Sequence, residues 1–240
     1  MPEPLTAPVR ARSAGARVLR GFAWLLAPVL LYWVAGLALY RFVAPAVTPL
    51  MLIRSLERGE MVWQQGVALG EVAVALREAV VAAEDSNFCL HGGVDLRAAK
   101  DAVDDYVASG RLRGASTITM QVARNLFLWP GGGALRKALE IPLALALDAL
   151  WPKWRILEVY LRIAEMGPGI FGAEAAARSH FGIPAARLNP AQAALIAAVL
   201  PSPNHWSPTA PSDYVRARAR SIRTESTRLS AAQRACLAPP

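Results

Sequence analysis

The apolar and polar positions of this chain alternate with helical spacing almost throughout. One stretch stands apart. Gly21–Tyr40 (GFAWLLAPVLLYWVAGLALY) carries no charge. Twenty residues at ~1.5 Å rise cover ~30 Å, the thickness of a bilayer core. Trp24, Tyr32, Trp33 and Tyr40 suit interfacial anchoring, and Pro28 is tolerated in a membrane helix. Before it, Arg10, Arg12, Arg17 and Arg20 face only Glu3, a net of +3. The positive-inside rule then predicts a cytoplasmic tail over 1–20 and a single-pass anchor over 21–42, with the rest of the chain outside the cytoplasm. A cleaved signal peptide and a buried core helix are the competing readings. Ala44-Pro45-Ala46 resembles a cleavage site only faintly, and a run of this length exceeds a usual signal core.

Beyond the anchor the pattern predicts a connector over 43–75, where Pro45 and Pro49 break any helix leaving the membrane. Helices follow at Val72–Ala83, at Leu96–Ser109 with Asp95 as N-cap, and from Ser116 or Thr117 to about Leu128. Gly110–Gly114 is a basic turn and Trp129–Gly133 a loop. Leu135–Leu150 is helical, with Pro142 a kink or restart, and Pro152 opens a helix reaching Glu165. A tight loop at Gly167–Gly172 precedes short helices at Ala173–His180 and Pro190–Leu200, the second capped by Asn189. Tyr214–Arg234 reads as one basic helix. No strand series and no internal repeat is visible, so 76–240 reads as one all-α domain.

The chain has 240 residues, 54% of them hydrophobic, and a mean hydropathy of +0.29. Its net charge is +8, which leaves +5 after the N-terminal tail. A basic exported domain beside a membrane suits anionic headgroups or phosphate-bearing substrates. Nucleic acid is the weaker reading, because an exported domain rarely meets it, and no nucleic-acid partner is expected. Two cysteines, Cys89 and Cys236, make no disulfide framework; Cys89 reads as a buried thiol, and whether the two meet is left open by their separation. His91, His180 and His205 are scattered without HExxH or CxxC, so no protein-built zinc site is expected.

The chemistry concentrates in three clusters. The apolar run Ala79–Ala83 leads into Glu84 and Asp85. A packed run holds a carboxylate in a dry place, where its pKa rises and it serves as a proton acceptor near neutral pH. Two solvated acids at a helix end are an equal reading of that segment alone. On the next helix Thr117, Gln121, Arg124 and Leu128 share a face, beside an apolar stripe of Ile118, Val122 and Leu126. Ser116 and Asn125 flank that row. A hydroxyl, an amide and a guanidinium in one row suit a sugar and a phosphate, although a solvated face has the same spacing. Third, Arg136-Lys137 with Glu140 also fits an ordinary i,i+4 ion pair. Lys153 with Ile156, Leu157, Tyr160 and Leu161 reads as scaffold.

Taken together, E-D-x-x-F-x-x-H-x-G-x-D from Glu84 to Asp95, G-A-S-T-I-T-M-Q, R-K-x-x-E, K-x-x-I-L-E-x-Y-L and G-x-G-x-F-G resemble glycosyltransferase family 51. The nearest resemblance is to its monofunctional biosynthetic peptidoglycan transglycosylases, and it extends over roughly 79–207. The resemblance implies a lysozyme-like α-helical fold with a hydrophobic jaw that dips into the membrane. It implies polymerisation of lipid II into β-1,4 glycan with inversion and release of undecaprenyl pyrophosphate. Glu84 would be the general base and Glu140 the second functional acid. Asp85, Ser116, Thr117, Gln121, Arg124, Asn125, Arg136 and Lys137 would bind substrate. No cofactor is obligatory, and a divalent cation, magnesium or manganese, would assist near Glu140 and the pyrophosphate. Lipid II, the growing strand and membrane lipid are the implied partners, with cell-wall synthesis or division proteins beside them.

The chain departs from that pattern at two points. The loop before R-K-x-x-E holds Gly131-Gly132-Gly133 where the family usually has a basic residue, and K-x-x-I-L-E-x-Y-L ends in Arg162 rather than Asn. No S-x-x-K or K-T-G occurs, so the pattern of a penicillin-binding transpeptidase is missing. Two other functions share parts of these motifs: a lysozyme-type hydrolase or lytic transglycosylase, and a non-catalytic scaffold of wall assembly.

Overall fold

The computed structural model describes the backbone of residues 14–62, 64–110, 114 and 116–239, and their side chains except at 14–20, 22, 25 and 106. Arg10 and Arg12 of the expected tail, and Arg111 and Arg113 of the basic turn, lie outside the described residues. Two compact units are present, one ending at Tyr40 and one spanning Arg41–Pro240.

In the first unit, helix α1 (Ala14–Tyr40) runs through Pro28 without a break. Trp24, Leu26, Leu30, Leu31 and Val34 are exposed along it. Among the described residues no helix is long and apolar enough to cross a membrane. The charge-free stretch 21–40 includes Phe22 and Leu25, whose side chains are outside the described set.

The second unit is helical, with the sequence-based boundaries largely kept. Helix α2 (Pro49–Arg58) occupies the segment expected to be connector. Pro49, read as a helix breaker, sits in its first turn, where a missing N–H costs nothing, and Thr48 caps it by accepting from Met51 N at 3.3 Å. Helix α3 (Val74–Glu84) buries Leu76, Ala79, Val80 and Val81. Helix α4 (Leu96–Ser109) starts where expected, since Asp95 Oδ1 accepts from Ala98 N at 2.9 Å.

Helix α5 (Ile118–Phe127) is capped by Thr117 and buries the predicted stripe of Ile118, Val122 and Leu126. Helix α6 (Gly133–Leu150) continues through Pro142 instead of restarting there. Helix α7 (Lys153–Ile163) has Pro152 as its N-cap and buries Ile156, Leu157, Tyr160 and Leu161, the expected scaffold.

A small antiparallel hairpin of β1 (Glu165–Gly167) and β2 (Ile170–Phe171) replaces the expected tight loop. Its strands are too short to leave an alternating signal. Helices α8 (Ala173–Phe181) and α9 (Pro190–Val199) follow, and Asn189 caps α9 through Ala191 N and Gln192 N. The expected C-terminal helix is two helices, α10 (Asp213–Thr227) and α11 (Ala231–Cys236). The second begins because Ser230 and Gln233 form a fresh capping box.

The alanines of α9 (Ala193, Ala194, Ala197, Ala198) are buried and small, so α3 and α10 approach it closely. Helix α5 packs on α6 and α7. The C-terminus of α3 therefore meets α5 and α10 at one place. Burial of the Leu and Ile side chains in these layers contributes about 1.5–3 kcal/mol each. Cys89 and Cys236 are joined in a disulfide, with Cα atoms 6.3 Å apart. The buried-thiol reading of Cys89 is thereby overturned: helix packing brings together two residues 147 positions apart.

Candidate active site

Glu84 is the last residue of α3, and its carboxylate is largely buried. Gln121 Nε2, one turn into α5, donates to Glu84 Oε2 at 2.9 Å. Tyr160 of α7 is fully buried and donates through its hydroxyl to Gln121 Oε1 at 3.3 Å, which fixes the amide's orientation toward Glu84. Burial raises the Glu84 pKa above the usual glutamate range. The Gln121 bond, then Arg218 and Arg124, pull it back down, while Asp85 adds to the rise. Glu84 is thus the dry carboxylate that the apolar run suggested.

Asp85 and Thr117 face elsewhere. Asp85 Oδ2 accepts from Ile118 N at 2.9 Å, and its Oδ1 lies 2.9 Å from His91 Nε2. The carboxylate ties the end of α3 to the positive N-terminus of α5. Thr117 donates to Gly93 O at 2.6 Å and accepts from Met120 N at 3.1 Å. Both residues hold the loop 85–95 and α5 in register, so Gln121 reaches Glu84. Lys153 adds a bond to His91 O at 2.7 Å and an ion pair with Asp148. Gly93 has no room for a side chain: it has φ +87°, and a Cβ there would lie 2.5 Å from Ala144 O of α6.

A cleft of about 370 Å³ is lined by Gln121 and Tyr160, which orient Glu84; Glu84 itself does not line it. Gln121, Arg124, Asn125 and Arg136 line one part of it; Arg54, Glu165 and His205 line another. Arg124 Nε donates to Asn125 Oδ1 at 3.3 Å. Burial lowers the Arg124 pKa below the usual guanidinium range. Glu140, buried on α6, is paired with Arg136 and lies 3.0 Å from Lys137 Nζ. Lys137 also donates to Ser116 Oγ at 2.7 Å. Its pKa is lowered to about 8, first by burial and then by Arg124 and Arg136. One buried carboxylate against this group leaves surplus positive charge, an arrangement suited to an anion with several oxygens.

The two sequence departures have structural explanations. Gly131, Gly132 and Gly133 all have positive φ, and a Cβ at 132 would come 2.7 Å from Trp129 Nε1. At 131 and 133 the space is open and only the left-handed φ disfavours a side chain, whereas 132 is also crowded. Arg136 instead folds back onto Gly131 O while lining the cleft. Arg162 turns away from the cleft and donates to Val67 O at 3.1 Å, bracing the segment before α3.

The sequence covered by these elements matches the transglycosylase family over residues 51–227. The chain belongs to that family. A biosynthetic peptidoglycan transglycosylase of Rhodospirillum centenum is 52% identical over 206 residues, covering 86% of this chain and 89% of that protein. A protein of the same name from Pseudomonas aeruginosa is 43% identical over 225 residues, 89% of this chain and 93% of its own. One from Caulobacter vibrioides is 43% identical over 189 residues, 79% and 82% respectively.

Within this transglycosylase, two residues near Glu84 escaped the sequence reading. Tyr160 looked like core and is core, but its hydroxyl orients Gln121. Arg218 lay hidden in an arginine-rich helix that reads as a solvated face. Its signal was position: Val215, Ala219 and Ile222 form the buried stripe of α10, and Arg218 borders it.

Proposed function

We propose that this cleft polymerises lipid II into β-1,4-linked glycan strands, with Glu84 as general base and undecaprenyl pyrophosphate as leaving group. The protein is a peptidoglycan glycosyltransferase of cell-wall synthesis, without a transpeptidase motif in this chain. One observation carries the finer reading: a buried carboxylate with a raised pKa, oriented by Gln121, lies beside a cluster of cations around a single buried carboxylate.

In the proposed step Glu84 takes the proton from the 4-hydroxyl of the acceptor sugar. That oxygen attacks the anomeric carbon of the donor from the face opposite the phosphate. The new glycosidic bond forms as the bond to pyrophosphate breaks, so the configuration inverts. The pyrophosphate leaves already ionised and needs cations more than a proton. Arg124, Arg136 and Lys137 would supply them, with Glu140 holding Arg136 and Lys137 in place. Ser116 would steer Lys137, and Asn125 steers Arg124.

The donor set does not fit a protein-held divalent cation. Glu140 is already engaged by two cations, and no group of three His, Cys, Asp or Glu that would hold a metal occurs among the described residues.

A lipid-borne substrate favours a catalyst held at the membrane. The charge-free stretch 21–40 and the exposed apolar side chains of α1 support an N-terminal anchor with the catalytic unit outside the cytoplasm. The disulfide supports the same location, because such bonds persist in oxidising compartments. The test is polymerisation of labelled lipid II by the full-length protein in detergent, with Glu84→Gln alongside. Long strands from wild type and a loss of at least about 10²-fold in the variant are expected. Near-normal synthesis by Glu84→Gln would remove Glu84 as the base.

A further inference from the structure

Among the arginines of α10, Arg216, Arg220 and Arg223 are exposed, while Arg218 is half-buried against the end of α3. Its Nη2 donates to Ala83 O at 3.4 Å and lies 3.7 Å from Glu84 Oε1. Its Nε is buried without a hydrogen-bond partner among the described residues. The groups facing Glu84 are Gln121 and Arg124 from α5, Tyr160 from α7, the adjacent Asp85, and Arg218 from α10. Of the two guanidinium groups, Arg124 lines the cleft and Arg218 does not.

We propose that Arg218 is a positioning residue that keeps Glu84 ionised and aimed at the acceptor hydroxyl between turnovers. The inference rests on Glu84 being the base. A buried glutamate favours its neutral form, which cannot accept a proton. An arginine remains charged at any working pH and offsets that tendency without itself lining the cleft. When Glu84 takes the proton, the ion pair weakens, and the bond to Ala83 O keeps the guanidinium in place. It is then set to favour release of that proton. The C-terminal segment holds Arg218 there: Gln233 Nε2 donates to Ser86 O at 2.9 Å, Arg234 pairs with Glu78 at 2.8 Å, and the disulfide joins Cys236 to Cys89.

The experiment is the pH–rate profile of lipid II polymerisation by the full-length protein, for wild type, Arg218→Met, Arg218→Lys and Glu84→Gln. Thermal melting of each variant checks that it folds. The ascending acidic limb of kcat/KM should move up by about one pH unit in Arg218→Met, scaled down from a fully buried pair because Arg218 is partly solvated. The rate on that limb then falls roughly tenfold, while the plateau stays within about threefold. Arg218→Lys should recover most of the shift, leaving a limb about a third of a unit above wild type. A wild-type limb in Arg218→Met overturns the proposal, whatever its plateau. Should that variant not fold, Arg218→Gln, which also removes the charge, takes its place, and a wild-type limb there overturns the proposal. An active Glu84→Gln would instead refute the assignment of the base. An inactive Glu84→Gln with an unmoved Arg218→Met limb refutes only the role of Arg218.

Discussion

Lys137 gives the sharpest prediction at the cation cluster. Its pKa of about 8, against an ordinary 10.5, places its charge change inside the range an enzyme assay reaches. A group titrating there holds its proton in about half of the molecules at pH 8 and in about a tenth at pH 9. An unperturbed lysine would be almost fully charged at both. The proposed role needs the ammonium form, so kcat/KM should descend above pH 8 and lose roughly tenfold by pH 9. The sign follows from the charge: raising the pH removes a cation from a site that gathers anionic oxygens. A bound pyrophosphate favours the ammonium and raises its pKa, so the descent should appear later in kcat than in kcat/KM. Lys137→Arg keeps the charge at every accessible pH. It should abolish the descent while slowing the reaction a few-fold at pH 7, because a planar fork does not reproduce the contacts of Nζ to Ser116 and Glu140. Initial rates on labelled lipid II from pH 6 to 10 measure both. The same descent near pH 8 in Lys137→Arg would refute the assignment of that limb to Lys137.

Two predictions concern stability. Replacing Cys89 and Cys236 by serine removes a cross-link spanning 147 residues, for which chain entropy predicts a loss of about 2–5 kcal/mol; denaturant unfolding with and without reductant measures it, and equal midpoints would contradict it. Gly93→Ala should lose about 2–4 kcal/mol, because it forces a Cβ against Ala144 O at a left-handed φ. Gly92→Ala, whose nearest neighbour would be Asp148 Oδ2 at 3.9 Å, should cost about 1 kcal/mol or less, and similar melting temperatures for the two variants would refute the steric argument.

The elements that local chemistry announces were legible along the chain. Asp95, Thr117 and Asn189 are short polar residues that satisfy free N–H groups within three positions, so α4, α5 and α9 begin where their sequence says. The stripe Ile118–Val122–Leu126 was likewise readable, since period is a local property, whereas Glu84, Gln121, Arg124, Arg136, Lys137 and Glu140 stood out as candidates only through the motifs that carry the family resemblance. Packing decided the rest. Asp85 and Thr117 became ties because α3 ends against the N-terminus of α5, and Ser116 became a partner for Lys137 because α6 crosses there. Pro142 stays within an unbroken α6. Arg218, Tyr160 and the Cys89–Cys236 bond depend on contacts between residues far apart in sequence, which no periodicity encodes. A helix pattern tells which side of a helix is apolar. Only the arrangement of its neighbours determines which polar group on that helix is dried, paired and left facing a substrate.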